Sequence, residues 1–138
     1  GLVQGKTNAV APGKRPLSSM TPTIVLKDGK LFMVTGSPGG STIISTTLES
    51  ILNVIDFGMN MQQAVNAPRI HQQWLPDVVM VEPNYLTPAS QAALEKMGYH
   101  FQMRPSWGAD EAILRNPHTG LLEGANDERR AAGLAAGY

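Results

Sequence analysis

The chain has 138 residues, 42% hydrophobic and 16% charged, and its 11 basic and 11 acidic side chains give a formal net charge of zero. This length fits a single domain over 1–138 and is enough to bury a core. The charge balance argues against nucleic acid or an anionic membrane surface as main partner, and the absence of cysteine excludes disulfides, thiolate zinc sites and a cysteine nucleophile. The pairs Lys14-Arg15 and Arg129-Arg130 are too short to make a basic patch. No apolar run approaches the roughly 20 residues of a membrane span. The start, GLVQGKTNAV, has neither an initiator methionine nor signal-peptide architecture, and reads as a processed or excised piece of something longer.

Residues 1–22 are rich in Gly, Pro, Ser and Lys without a sustained period, and read as an extended or looped segment crossing a larger surface. TIVLKDGKLFMVT then gives two β-rich runs around Asp28-Gly29, a strong hairpin signal, and the second run leads into the loop GSPGGST. From Ser41 to Phe57 the period becomes helical. Ile44, Leu48, Ile51 and Ile55 recur at three and four residues, and Ile43, Thr47 and Leu52 widen the face. Ser41 is the expected N-cap and Gly58 the expected C′ residue; the broad stripe predicts burial against a sheet.

A second helix is expected over Met61 to Asn66, capped by Asn60 and stopped by Pro68. Val78 to Val81 reads as a strand. Thr87-Pro88 opens a third helix that ends at Gly98, and His100 to Arg104 reads as another strand. Ala112 to Arg115 and Leu121 to Glu123 flank an NPHTG turn and predict a closing hairpin. This order of strands, helices and strands predicts an α+β domain layered around a largely antiparallel sheet.

The glycine loop carries the most chemistry. A helix N-terminus exposes unpaired N–H groups and a partial positive charge that attract an anion. Gly39 and Gly40 let the backbone approach a ligand closely. Two adjacent N–H groups aimed at one point make an oxyanion hole for acyl transfer. Phosphate binding is a second reading, although the loop lacks the P-loop lysine and the dinucleotide spacing. On its own residues the loop is equally consistent with a structural turn.

Ser18 and Ser19, in KRPLSSM, are candidate hydroxyl donors to a substrate carboxylate, with turn or capping roles as the alternative. Neither lies in a nucleophile elbow. His71, His100 and His118 show no metal spacing, so no metal or cofactor is expected. His71 reads as structural and His118 as solvated. Asp110-Glu111 and Asp127-Glu128 read as surface pairs, and the methionines as core filler.

Taken together, NAVAPGKRPLSSMTPTIV, the hairpin, VTGSPGGSTI, NAPRIHQQWLPD and the terminal AAGY resemble the small subunit of gamma-glutamyltransferases (gamma-glutamyltranspeptidases). The resemblance runs in one order from Asn8 to Tyr138. It implies the αββα sandwich of the N-terminal nucleophile hydrolases, incomplete here, with central antiparallel strands and about three helices. It also implies a precursor that cleaves itself into large and small subunits and frees a threonine nucleophile. That threonine takes the gamma-glutamyl group of glutathione or related amides, which water, an amino acid or a peptide then removes. By resemblance, Ser18 and Ser19 hold the substrate alpha-carboxylate and Gly39 and Gly40 supply the oxyanion-hole N–H groups.

The resemblance also implies a periplasmic or secreted setting. The partners it implies are the large subunit and the remaining small-subunit segment. Sheet edges left open by their absence are expected to pair with another copy, giving a homo-oligomer. The family's nucleophile lies upstream of PLSSM at the head of a TTH-type sequence. Thr7, the one threonine before Ser18, stands in a different context. The acidic and amide residues for the substrate amino group are also upstream, and the arginine for its carboxylate belongs to the large subunit. NDERR replaces the usual D-P-R pattern. Rival readings are a cephalosporin or glutaryl acylase or a polyglutamate-processing relative within the family. Outside it stand a non-catalytic anion- or nucleotide-binding module and an assembly scaffold.

Overall fold

The computed structural model describes residues 5–130 and 133–137. Strand β1 (Thr23–Lys27) turns through Asp28 and Gly29, with φ of 51° and 74°, into the antiparallel strand β2 (Lys30–Gly36). Positive φ at both central residues is the signature of a type I′ hairpin turn, which the Asp-Gly pair favours. Helix α1 (Ile43–Ile55) follows, and then α2 (Met61–Asn66). As expected, Asn60 caps α2: its side chain accepts from Gln63 N at 2.8 Å, and Gln63 Oε1 accepts from Asn60 N at 3.1 Å.

A short strand β3 (Ile70–His71) leads to β4 (Val79–Val81), helix α3 (Pro88–Lys96) and β5 (Phe101–Met103). Thr87 caps α3 by accepting from Ser90 N at 3.1 Å, with Pro88 in the first helical position. Strands β6 (Glu111–Arg115) and β7 (Leu122–Asn126) close the chain as the expected hairpin.

The strands form two sheets rather than one. The larger is antiparallel with order β1-β2-β6-β7. The smaller has order β3-β4-β5, and its β4–β5 pair is parallel because α3 crosses between them. Helices α1 and α2 cover one face of the larger sheet, where Met33, Ala112, Leu114 and Ala125 meet Val54, Met61, Ala64 and Val65. The register sets Ile24, Val34 and Ile113 side by side on the opposite face, which is open. One helix layer and one sheet layer are therefore present, half of a four-layer sandwich. Among the described residues no helix is long and apolar enough to cross a membrane.

Several expectations are corrected. The segment before β1 contains a 3₁₀ turn at Lys6–Asn8. A second one, Gly40–Thr42, precedes α1, so Thr42 rather than Ser41 stands at the cap position. The side of α1 that is buried carries Ile43, Thr46, Thr47, Ser50 and Val54. Of the expected stripe, Ile51 packs against the core, while Ile44, Leu48 and Ile55, with Leu52 of the widened face, are 37–53% exposed. Periodicity cannot tell which apolar face meets this sheet and which is left for another partner. Met33 and Met61 do fill the core, but Met20, Met97 and Met103 are exposed.

The acidic pairs are split rather than superficial. Asp110 and Asp127 are fully buried, whereas Glu111 and Glu128 are exposed. Burial of these carboxylates is possible because cations and donors surround them. Arg69, itself buried, donates from Nη2 to Asp127 Oδ2 at 2.5 Å and to Val65 O at 3.0 Å. Its Nη1 donates to Trp107 O at 2.7 Å. Arg129 Nη1 meets Asp127 Oδ1 at 3.1 Å, and its Nη2 pairs with Glu82 Oε2. Asp110 N donates to Asp127 Oδ2 at 3.0 Å, and Thr35 Oγ1 donates to the Asp110 carboxylate at 2.9 Å.

Burial works to raise the Asp127 carboxyl, yet the N–H groups of Arg129 and Asp110 and the Arg69 guanidinium outweigh it and hold it below the usual range. In the D-P-R position, Asp127 and Arg129 thus both serve the network. Glu128 between them points to solvent and donates its N–H to Asn66 Oδ1 at 3.2 Å.

Replacing Arg69 by Met leaves Asp127 without its closest cation and Trp107 O without a donor. Equilibrium denaturation is expected to show a loss of about 3–5 kcal/mol, the cost of breaking a buried ion pair by removing one partner. A loss below about 1 kcal/mol would contradict this account of the network.

Glu49 on α1 behaves oppositely. Burial pushes its carboxyl up to about 7, against the opposing pull of the Ile70 N–H and Arg69. Its Oε1 accepts from Ile70 N at 3.0 Å. A raised folded value means that the folded state holds the proton more tightly than the unfolded chain does. Stability from this group therefore falls as pH rises from about 4.5 to about 7 and is flat above that. Glu49→Gln should remove that slope, so that the variant gains on the unaltered protein between pH 5 and pH 8. Denaturant midpoints at the two pH values measure it, and parallel curves would refute it.

Candidate functional site

Two segments far apart in sequence meet at the mouth of α1. The first is the extended strap 16–20, which follows the 3₁₀ turn holding Thr7 and runs alongside the glycine loop. The second is the loop Gly36 to Thr42 at the end of β2. Ser19 Oγ donates to Gly40 O at 2.8 Å and joins them. Ser18 Oγ accepts from Met20 N at 3.1 Å, so its own proton is directed elsewhere. The structure therefore brings together all four residues singled out from the sequence, Ser18, Ser19, Gly39 and Gly40. It also assigns the Ser19 proton to the loop.

The loop conformation demands glycine. Gly39 has φ of 151° and Gly40 φ of 61°, both regions that L side chains avoid. A Cβ on Gly39 would sit 2.7 Å from Thr42 Oγ1. Gly39 caps the 3₁₀ turn, and Thr42 N donates back to Gly39 O at 3.2 Å. N–H groups at the start of such a turn have no partner within it. Gly39 and Gly40 are exposed, so an anion has access to them.

Sequence reasoning missed what holds the loop from behind. Ser37 Oγ accepts from Ala109 N at 3.0 Å and donates to Pro38 O at 2.8 Å. Gly108 lies so close that a Cβ there would stand 2.9 Å from Ser37 Oγ and 3.4 Å from Arg69 Nη1. The Arg69–Asp127 network, through Trp107, thus underlies the loop. The one available signal was the Gly108 position just before a buried acid, which carries no meaning until the two strands are paired.

His71 is buried and bonded at both ring nitrogens, to Ser45 Oγ at 2.8 Å and Gln73 Oε1 at 3.0 Å, as expected of a structural histidine. His118 is exposed in the β6–β7 turn. Among the described residues no group of acidic or histidine side chains could hold a metal ion. A hollow of about 560 Å³ lined by Val25, Phe32, Val54, Met59 and His118 opens at the hairpin end of the sheet. None of its lining residues comes from the strap or the loop.

A profile of the gamma-glutamyltranspeptidase family matches residues 1–137. The chain is 51% identical over 138 residues to a glutathione hydrolase proenzyme of Escherichia coli (strain K12), covering 100% of the chain and 23% of that relative. It is 50% identical over 146 residues to one of Pseudomonas sp. (strain A14), covering 100% of the chain and 25% of the relative. A crystal structure of a Helicobacter pylori gamma-glutamyltranspeptidase mutant superposes with a TM-score of 0.88 at 49% identity, over 94% of this chain and 71% of that one. Gamma-glutamyltranspeptidase from Pseudomonas nitroreducens complexed with L-DON gives a TM-score of 0.83 at 38% identity, over 99% and 72% of the two chains. The chain spans about a quarter of the length of the curated relatives it matches. With the profile matched over 1–137, the chain belongs to the gamma-glutamyltranspeptidase family.

Proposed function

We propose that this chain is the C-terminal part of the small subunit of an enzyme that moves a gamma-glutamyl group from glutathione or a related amide to water, an amino acid or a peptide. The observation that carries this reading is the Ser19–Gly40 hydrogen bond of 2.8 Å, which sets a hydroxyl-bearing strap beside the exposed loop that carries the Gly39 and Gly40 N–H groups. A gamma-glutamyl group has an anionic end and a carbonyl to be attacked, and the two segments match these two ends. Ser18, whose proton is uncommitted, donates to the alpha-carboxylate, and Ser19 fixes the strap against the loop. The N–H groups of Gly39 and Gly40 receive the charge that develops on the gamma-carbonyl oxygen during acyl transfer.

The attacking threonine belongs to the segment upstream, as in covalent catalysis by an N-terminal nucleophile. Thr7 does not fill that role, since it lies inside the 3₁₀ turn Lys6–Asn8 and its carbonyl accepts from Lys14 Nζ. The rest of the precursor also covers the open surfaces. One is the outer sheet face with Ile24, Val34 and Ile113; the other is the α1 stripe with Ile44, Leu48 and Ile55. Contiguous apolar surface of this kind is a docking face rather than an ordinary exterior.

In the full-length enzyme, Ser18→Ala is expected to raise KM for a gamma-glutamyl anilide about tenfold, the loss of one hydrogen bond to a charged group, with kcat changed less. An unchanged KM would sink the carboxylate assignment. The isolated 138-residue chain is expected to give no turnover of that anilide, because it carries the oxyanion donors without the nucleophile. It should also elute from size exclusion as more than a monomer, and Ile24→Lys with Ile113→Lys should reverse this. Turnover by the pure chain, or a clean monomer at high concentration, would count against the fragment reading.

A further inference from the structure

The two donor N–H groups proposed above each belong to a peptide whose carbonyl is held by a side-chain hydroxyl. In a trans peptide the C=O and the following N–H point in opposite directions within one plane, so fixing the oxygen aims the hydrogen. The only cis peptide among the described residues is Leu75-Pro76, so both loop peptides are trans. The Pro38 carbonyl shares its plane with Gly39 N–H, and it accepts from Ser37 Oγ at 2.8 Å. The Gly39 carbonyl shares its plane with Gly40 N–H, and it accepts from Thr42 Oγ1 at 3.0 Å and Thr42 N at 3.2 Å.

We infer that Ser37 and Thr42 are positioning residues that aim the Gly39 and Gly40 N–H groups at the developing oxyanion. The inference rests on the oxyanion-hole reading and adds to it the device that sets the donor directions. Ser37 and Thr42 are themselves anchored, which makes the arrangement rigid. Ser37 Oγ accepts Ala109 N–H at 3.0 Å and so refers the first peptide to the start of β6. Thr42 is buried at the head of α1 and refers the second peptide to the helix. Glycine at 39 and 40 gives the loop its conformation but leaves the peptide planes free to rock. Hydroxyls on either side remove that freedom without occupying the anion's space. Preorganised donors are the source of oxyanion stabilisation, and a donor that must reorient loses much of its effect.

The test uses the full-length, self-cleaved enzyme, with rates normalised to the cleaved fraction. Ser37→Ala removes one hydroxyl, Thr42→Val removes the other at nearly constant volume, and Thr42→Ser restores it. Each deletion is expected to lower kcat about tenfold while KM for the gamma-glutamyl anilide stays within about twofold, a fraction of what losing a whole donor costs. Affinity for an anionic phosphonamidate, with a tetrahedral phosphorus in place of the gamma-carbonyl carbon, should fall by the same factor as kcat. Thr42→Ser should return kcat to within about threefold of the unaltered enzyme.

Lower thermal stability with unchanged kcat in both deletions would reduce Ser37 and Thr42 to structural residues and overturn the inference. So would a Thr42→Ser variant as slow as Thr42→Val. If the unaltered enzyme binds the phosphonamidate no more tightly than its uncharged carbonyl counterpart, the oxyanion-hole reading itself fails. Tight binding by the unaltered enzyme, matched by both variants, defeats only the positioning role.

Discussion

The buried guanidinium of Arg69 is the constraint on which the arrangement of this chain depends. It reaches the C-terminal turn of α2 through Val65 O, the end of β7 through Asp127, and the loop before β6 through Trp107 O. A planar fork with several fixed donors suits three acceptors in different directions, which an ammonium on a flexible stem would not serve equally. The charge is tolerated in the interior because Asp127 neutralises it and Arg129 and Glu82 complete an alternating set. Such a cluster contributes little net stability over an apolar equivalent. It does fix which strand end meets which loop, since any other register would leave a charge uncompensated.

That register has a chemical consequence at the glycine loop. Thr35 on β2 is tied to Asp110, and Ala109 is tied to Ser37, so the loop leaves β2 under restraint from β6 on two successive sides. The strap then closes on it from the front through Ser19. A backbone of two glycines has the greatest freedom to lose, and a loop of this composition needs restraints from outside to hold one shape. The polar interior of this protein is concentrated where it supplies them.

Elsewhere the chain is unfinished. Its core is a thin layer between two helices and one sheet, and apolar side chains remain on both outward surfaces of that pair. Apolar stripes on opposite sides of α1 explain why its sequence reads as broadly hydrophobic: one meets the sheet and the other is exposed. The parallel β4–β5 pair and α3 form a smaller unit on the other side of His71, whose ring bridges α1 and β3.

The sequence by itself determined the local elements and the family pattern. Asp28-Gly29, the Asn60 to Gln63 box and Thr87-Pro88 act within a few residues, so their turns and caps were legible without any partner. PLSSM and GSPGG were legible as family motifs, since their residue types and separation carry the resemblance. Only the tertiary structure decided which face of α1 is inside. Ile43 and Val54 are buried while Ile44 and Leu48 are exposed, and both sets satisfy a helical period. Only the tertiary structure turned Asp110 and Asp127 from apparent surface acids into buried anchors, because their partners Thr35 and Arg69 stand 75 and 58 residues away. Local patterns fix conformation over one or two turns of chain, whereas the solvation of a charge depends on what folds around it.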